Sequence, residues 1–221
     1  MYVRLRGAMA ATTEGLRERK KRQTRETIAE AAMTLFVEHG FDAVTVADVA
    51  RAADVSEKTV FNYFPAKEDL VALRGEERRA ALIEAIRERP RGASIVEPFR
   101  AATLGFVDRV EHEDVDAIVA MPRLVMGSRA LRDRLLLGWE EEAAELAPVI
   151  AEETGAADSD LLPAVVARTL AWTHRLVFRA GFQRLLAGED QRMVAADLRD
   201  QAHRAYEALE RGLAGYGAKA S

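Results

Sequence analysis

The sequence predicts an all-α protein: a small three-helix unit over residues 16–67, joined to a larger C-terminal helical bundle over residues 68–217. Three observations carry this. Apolar residues recur at i, i+3, i+4 spacing through most of the chain, strand-like alternation is absent, and breaks bearing Gly or Pro cut the pattern into helix-length pieces. With 221 residues, 49% hydrophobic and 31% charged, the chain can bury a sizeable core.

In the first element Ile28, Ala31, Ala32, Leu35 and Phe36 share a face, and the run stops at His39-Gly40, a cation followed by a suitable C-cap. This is a helix of about six turns. Thr45 stands three residues before Asp48, the spacing of a capping box, and starts a second helix with Val46, Val49 and Ala50 turned inward. Ser56 caps a third helix, whose expected inner face is Val60, Phe61 and Phe64 and which Pro65 ends. The second and third helices are about two turns each and are separated by only Ala-Asp-Val-Ser, which matches the helix-turn-helix geometry that puts a second helix into a DNA major groove. Helices this short need the first helix and the start of the fourth as a platform.

A long fourth helix is expected from Ala66 to Arg89. Further breaks are expected at Arg89-Pro90-Arg91-Gly92, around Pro122, at Met126-Gly127-Ser128, at Thr154-Gly155 and at Ala187-Gly188. Leu131, Leu135, Trp139, Leu146 and Ile150 form one stripe of an amphipathic helix. The segment LLPAVVARTLAWTHRLVFRAGFQRLL is apolar on nearly every side, which implies burial against more than one layer. The last helix carries Val194, Leu198, Ala202, Ala205, Leu209 and Leu213 on one face.

Charge is unevenly distributed. The net charge of −4 argues against a protein that coats nucleic acid along its whole surface, yet LRERKKRQTR holds six basic residues (Arg17, Arg19, Lys20, Lys21, Arg22, Arg25) against Glu18. Residues 71–221 hold 21 Lys and Arg against 25 Asp and Glu, so the acidity sits in the larger part. With no cysteine, neither a disulfide framework nor a thiolate metal site nor a cysteine nucleophile is available, and a reducing, cytoplasmic location is expected. No apolar run is long enough to span a bilayer. Residues 1–15 are expected to form a disordered tail. Met9 precedes a run that would make an ordinary N-terminus by itself, so residues 1–8 take no part in the fold expectation.

Enzyme chemistry finds no foothold, because no glycine-rich phosphate loop, nucleophile elbow or paired-histidine helix occurs. His112-Glu113-Asp114 with Asp116 reads as a solvated cap before a helix rather than a metal site, and neither metal nor cofactor is expected.

The stretch TVADVARAADVSEKTVFNYFPAKEDLV closely resembles the DNA-binding domain of TetR-family transcriptional regulators, over about Thr24 to Val71. The resemblance rests on the basic lead-in, Ala31-Ala32, Leu35-Phe36, His39-Gly40-Phe41, and the Ser-x-x-Thr, Tyr-Phe and Lys-Glu-x-Leu steps. It departs at Asp54 and Lys58, where glycine is common, and at Phe61, where tyrosine is. Asp tolerates the left-handed conformation better than most residues, so the turn is expected to survive.

The resemblance implies that Thr45 contacts a phosphate, alongside its role as a plain N-cap, and that Tyr63 and Lys67 clamp the DNA backbone. Lys58, Thr59 and Asn62, on the exposed side of the third helix, would read base edges; a solvated helix face is the other reading of these three. The resemblance also implies a homodimer through the last two helices, a double-stranded operator, and a small-molecule effector, lipophilic or acyl-CoA-like, that releases a repressor from its operator. Candidate lining residues are Phe106, Met121, Trp139, Trp172, His174 and Phe178, although core packing explains the same spacing. Arg123, Arg129 and Arg132 are candidates for an acidic headgroup. A helical module that uses its helix-turn-helix for protein contacts is the alternative from another class.

Overall fold

The computed structural model describes residues 15–213, without the side chains of residues 16 and 72–74. Among the described residues the chain is all-helical: α1 Leu16–His39, α2 Val46–Ala52, α3 Glu57–Tyr63, α4 Asp69–Arg87, α5 Glu97–His112, α6 Val115–Gly127, α7 Arg129–Thr154, α8 Leu162–Leu186 and α9 Gln191–Gly212. The expected tail lies outside these residues except for Gly15, which precedes α1 and whose N–H donates to Glu18 Oε2 at 3.1 Å.

Three apolar clusters hold the helices together. One collects Ile28, Ala32 and Phe36 of α1, Val49 and Ala50 of α2, Val60 of α3 and Leu70 of α4, and it extends into the larger bundle through Leu124 of α6 and Leu131 of α7. A second joins α4, α5, α7 and α8 with Tyr206 of α9. The third joins α5, α6, α8 and α9 around Phe106, Val119, Val177 and Leu198. Polar ties follow the seam of the first cluster. Arg25 pairs with Glu76 at 2.6 Å, Arg134 with Asp69 at 2.8 Å, and the Ser128 hydroxyl donates to Asp42 Oδ1 at 2.9 Å.

Pro122 does not break the chain but sits inside α6. A proline inside a helix costs about 3 kcal/mol; here α6 buries Ile118 and Val119 in the third cluster and Leu124 in the first, and this packing outweighs the loss. The expected stripe of α7 also changes. Leu131, Leu146 and Ile150 are buried, but Leu135 faces solvent beside Leu136 and Leu137. Helix α8 crosses α5 and α9 so closely that a Cβ on Gly181 would stand 2.8 Å from Leu198 Cδ1 and 3.3 Å from Phe106 Cε1. Of the described helices, none is long and apolar enough to cross a membrane.

Candidate nucleic-acid interface

Helix α2 starts in a complete capping box. The Asp48 N–H donates to Thr45 Oγ1 at 3.2 Å and the Thr45 N–H to Asp48 Oδ2 at 3.0 Å. The Thr45 hydroxyl also donates to Asp48 Oδ2 at 2.6 Å, and Arg51 reaches Oδ1 at 3.1 Å. These donors, the Thr45 hydroxyl first, hold the Asp48 carboxyl down at about 2. The plain cap expected of Thr45 is therefore present, and its side chain remains exposed.

The turn between α2 and α3 runs through Asp54, which has φ 53° and is the single positive-φ residue other than glycine among the described residues. The Val55 N–H reaches back to the Ala50 carbonyl at 2.9 Å, closing a Schellman-type end to α2, while Val55 packs on the core. Ser56 then accepts from the Thr59 N–H at 3.1 Å, and the two hydroxyls lie 2.8 Å apart. Two cap bonds and one left-handed residue thus fix α3 against α2.

Of α3, Val60 is buried, and Phe64 just past its end is too. Lys58 and Asn62 are exposed, and Thr59 and Tyr63 are half-buried. Phe61, expected inside, is instead 48% exposed and lies on the same outward side. On a helix of 3.6 residues per turn, Val60 and Phe64 define the inner line, and Phe61 stands about 100° from Val60, where the seven-residue α3 has no helix to cover it.

Lys67 is tied into the fold. Its ammonium donates to the Phe41 carbonyl at 2.6 Å and lies 4.1 Å from the Phe41 ring centroid. An ammonium has three donors, so this leaves donors that can meet a phosphate. The basic run belongs to α1 itself: Arg17, Arg19, Lys20, Lys21 and Arg22 are exposed on turns that project ahead of Ile28, the first buried residue. Arg25 differs, being paired with Glu76 and stacked 5.1 Å from the Phe64 ring.

The family model for bacterial regulatory proteins of the tetR family matches residues 28–73, the segment just described. The HTH-type transcriptional regulator TcmR of Streptomyces glaucescens is 29% identical over 176 residues, covering 77% of this chain and 78% of the relative. These matches support a TetR-family transcriptional regulator. A TetR-family regulator from Streptomyces coelicolor is 26% identical with a TM-score of 0.52, over 88% of this chain and 99% of that one. Salmonella enterica GusR shares the fold at 23% identity and a TM-score of 0.51, over 86% and 94% of the two chains. TetR-family proteins are transcriptional regulators, generally repressors, and not enzymes. The match runs from within α1 to the first turn of α4, so it takes in α2 and α3 but neither the basic turns at residues 17–22 nor α5 to α9.

Within those outer helices the six expected lining residues fall into three places. Phe106, Phe178 and His174 meet, with the two phenyl rings stacked at 3.7 Å and the imidazole 4.3 Å from Phe178. Trp139 and Trp172 meet edge-on at 5.6 Å, both beside Arg175. Met121 stands apart, packed on the reader's core. Clefts of about 450 Å³ between α1 and α2 and about 170 Å³ between α8 and α9 are lined by none of the six. Arg123 and Arg129 lie against Asp116 and Asp133, and Arg132 donates to the Met126 carbonyl, all on the outside. The His112 ring contacts the Asp108 carbonyl, Glu113 pairs with Arg109, and Asp114 caps α6. Sequence reasoning missed Thr103 and Tyr206, whose hydroxyls join His174 in a buried chain. The signal was Tyr206, four residues after Ala202 on the apolar side of α9.

Proposed function

We propose that the protein binds a palindromic double-stranded DNA operator as a homodimer, represses transcription there, and is released by a small lipophilic or acyl-CoA-like effector held in the larger bundle. The observation that carries the reading is the fixed α3, whose exposed Lys58, Phe61 and Asn62 and half-buried Thr59 form one outward face. In this reading Lys58, Thr59 and Asn62 read base edges, while Thr45, Tyr63, Lys67 and the basic turns of α1 hold phosphates.

Dimerisation is supported by α8. Leu162, Val165, Trp172, Leu176 and Leu186 are exposed at helical spacing, while α9 turns Val194, Leu198 and Ala202 into its own chain. An apolar stripe of this kind on a lone chain marks a contact surface, and a two-fold pairing through it is self-complementary. Two readers set about 34 Å apart match successive major grooves.

The test is binding to the DNA immediately upstream of the protein's own gene, against a scrambled duplex, at two salt concentrations. A salt-sensitive preference for the upstream fragment is expected, because neutralised phosphates release counterions. Absence of any salt slope on either duplex would favour a protein-contact role for the reader.

A further inference from the structure

Of the eight phenylalanines in the chain, all within the described residues, seven are buried or half-buried and Phe61 alone is exposed. The ring contacts of the reader join Phe36 to Phe41, Arg25 to Phe64, and Lys67 to both Phe36 and Phe41, and they leave Phe61 out. The side of α3 on which it stands is fixed by the Ser56 cap, the left-handed Asp54 and the buried Val60 and Phe64. At 3.6 residues per turn, Lys58 stands about 160° and Asn62 about 200° from Val60, so Phe61, at about 100°, borders Lys58 on the outer face.

A single phenyl beside an ammonium and a carboxamide differs from the stripe on α8, where exposed apolar side chains recur together. It suits a surface that is anionic, lined with hydrogen-bonding edges and apolar only at single points. The major groove of duplex DNA is such a surface. Its apolar point is the C5-methyl of thymine; guanine, adenine and cytosine present ring nitrogen, carbonyl and amino groups there. A phenyl ring neither donates to those groups nor accepts from them as a polar side chain does, so the methyl is what it can recognise.

We propose that Phe61 is a specificity-determining residue that reads thymine, its ring packed on a C5-methyl in each operator half-site, next to the base edges met by Lys58 and Asn62. This rests on the reading of the protein as an operator-binding dimer. It adds one chemical feature of the operator: a thymine in each half-site recognised through its methyl rather than through its hydrogen-bonding groups.

The test first enriches binding duplexes from a random-sequence library with the full-length protein. Each thymine of the enriched operator is then replaced by uracil, which removes the methyl and keeps the base pair. Uracil at one position in each half-site is expected to weaken wild-type binding about fourfold, the worth of one buried methyl, and at both positions together about sixteenfold. Phe61→Ala is expected to bind thymine and uracil operators alike, whereas Asn62→Ala keeps the difference. Circular dichroism checks that each variant is folded, and Phe61→Gln carries the comparison if Phe61→Ala is not. Half-sites without thymine, wild-type binding indifferent to uracil at every position, or a difference that survives Phe61→Ala overturns the thymine assignment while leaving the operator reading standing. Enrichment of no sequence overturns both.

Discussion

Thr103 Oγ1 lies 2.6 Å from His174 Nδ1, joining α5 to α8, and 2.7 Å from the Tyr206 hydroxyl of α9. The Thr103 hydroxyl donates to the Phe99 carbonyl at 2.8 Å, so it accepts from the other two. That puts a proton on His174 Nδ1, while burial, with Arg78 and Arg175 nearby, keeps the ring neutral, and burial pushes the Tyr206 phenol up to about 12.

A pH dependence follows from His174. Its folded-state pKa is about 3 against an ordinary value of 6.5, so between these two values the unfolded chain binds the extra proton. The stability contributed by the neutral ring is complete above pH 6.5 and is lost as the pH falls through that window, with a slope approaching about 1.4 kcal/mol per pH unit. Denaturant titrations at stepped pH should show this slope in the wild type and a shallower one in His174→Gln.

The reader should divide its labour. Asn62→Ala is expected to lose about 1–3 kcal/mol of preference for operator over random DNA with an unchanged melting temperature, since Asn62 is exposed. Lys67→Ala should weaken both DNAs about equally and also lower the melting temperature, because it removes the bond to Phe41. Competition binding combined with thermal melts separates the two patterns, and equal losses on both DNAs for Asn62→Ala would contradict the assignment.

The left-handed Asp54 offers a stability test. Asp54→Gly should raise stability by up to about 1 kcal/mol, because glycine takes this conformation without a Cβ clash. Asp54→Val should lower it by more than that, since a β-branched residue resists φ > 0. Thermal melts of the two variants should move in opposite directions.

On α8, Leu176→Glu should convert a dimer to monomers in light scattering with the helical content intact, since Leu176 is 58% exposed in the single chain. Operator affinity should fall steeply in the same variant, because one reader contacts few base pairs.

Much of this was legible in local chemistry. Thr45, Ser56 and the Gly40, Gly155 and Gly188 stops act within a turn of themselves, so these bounds of α1, α2, α3, α7 and α8 are legible in sequence alone. The errors came where distant packing decides. Pro122 looks like a breaker until the two clusters that seize α6 are known, and Phe61 looks like core until α3 proves to be covered along Val60 and Phe64 but not on the Phe61 side. The pattern of segment 161–186 predicts burial on several sides, and within one chain only part of that holds: Val166, Leu170 and Val177 are covered, Val165, Trp172 and Leu176 are not.

The first apolar cluster takes Leu124 and Leu131 from helices far along the chain as well as residues of α1 to α4. Its consequence is for anyone who would build hybrids by grafting this reader onto a foreign sensor. A cut after α4 would strip the reader of the α6–α7 corner that finishes its interior, so a graft that carries that corner along, with Ser128 still holding Asp42, is the one that keeps the transplanted part whole.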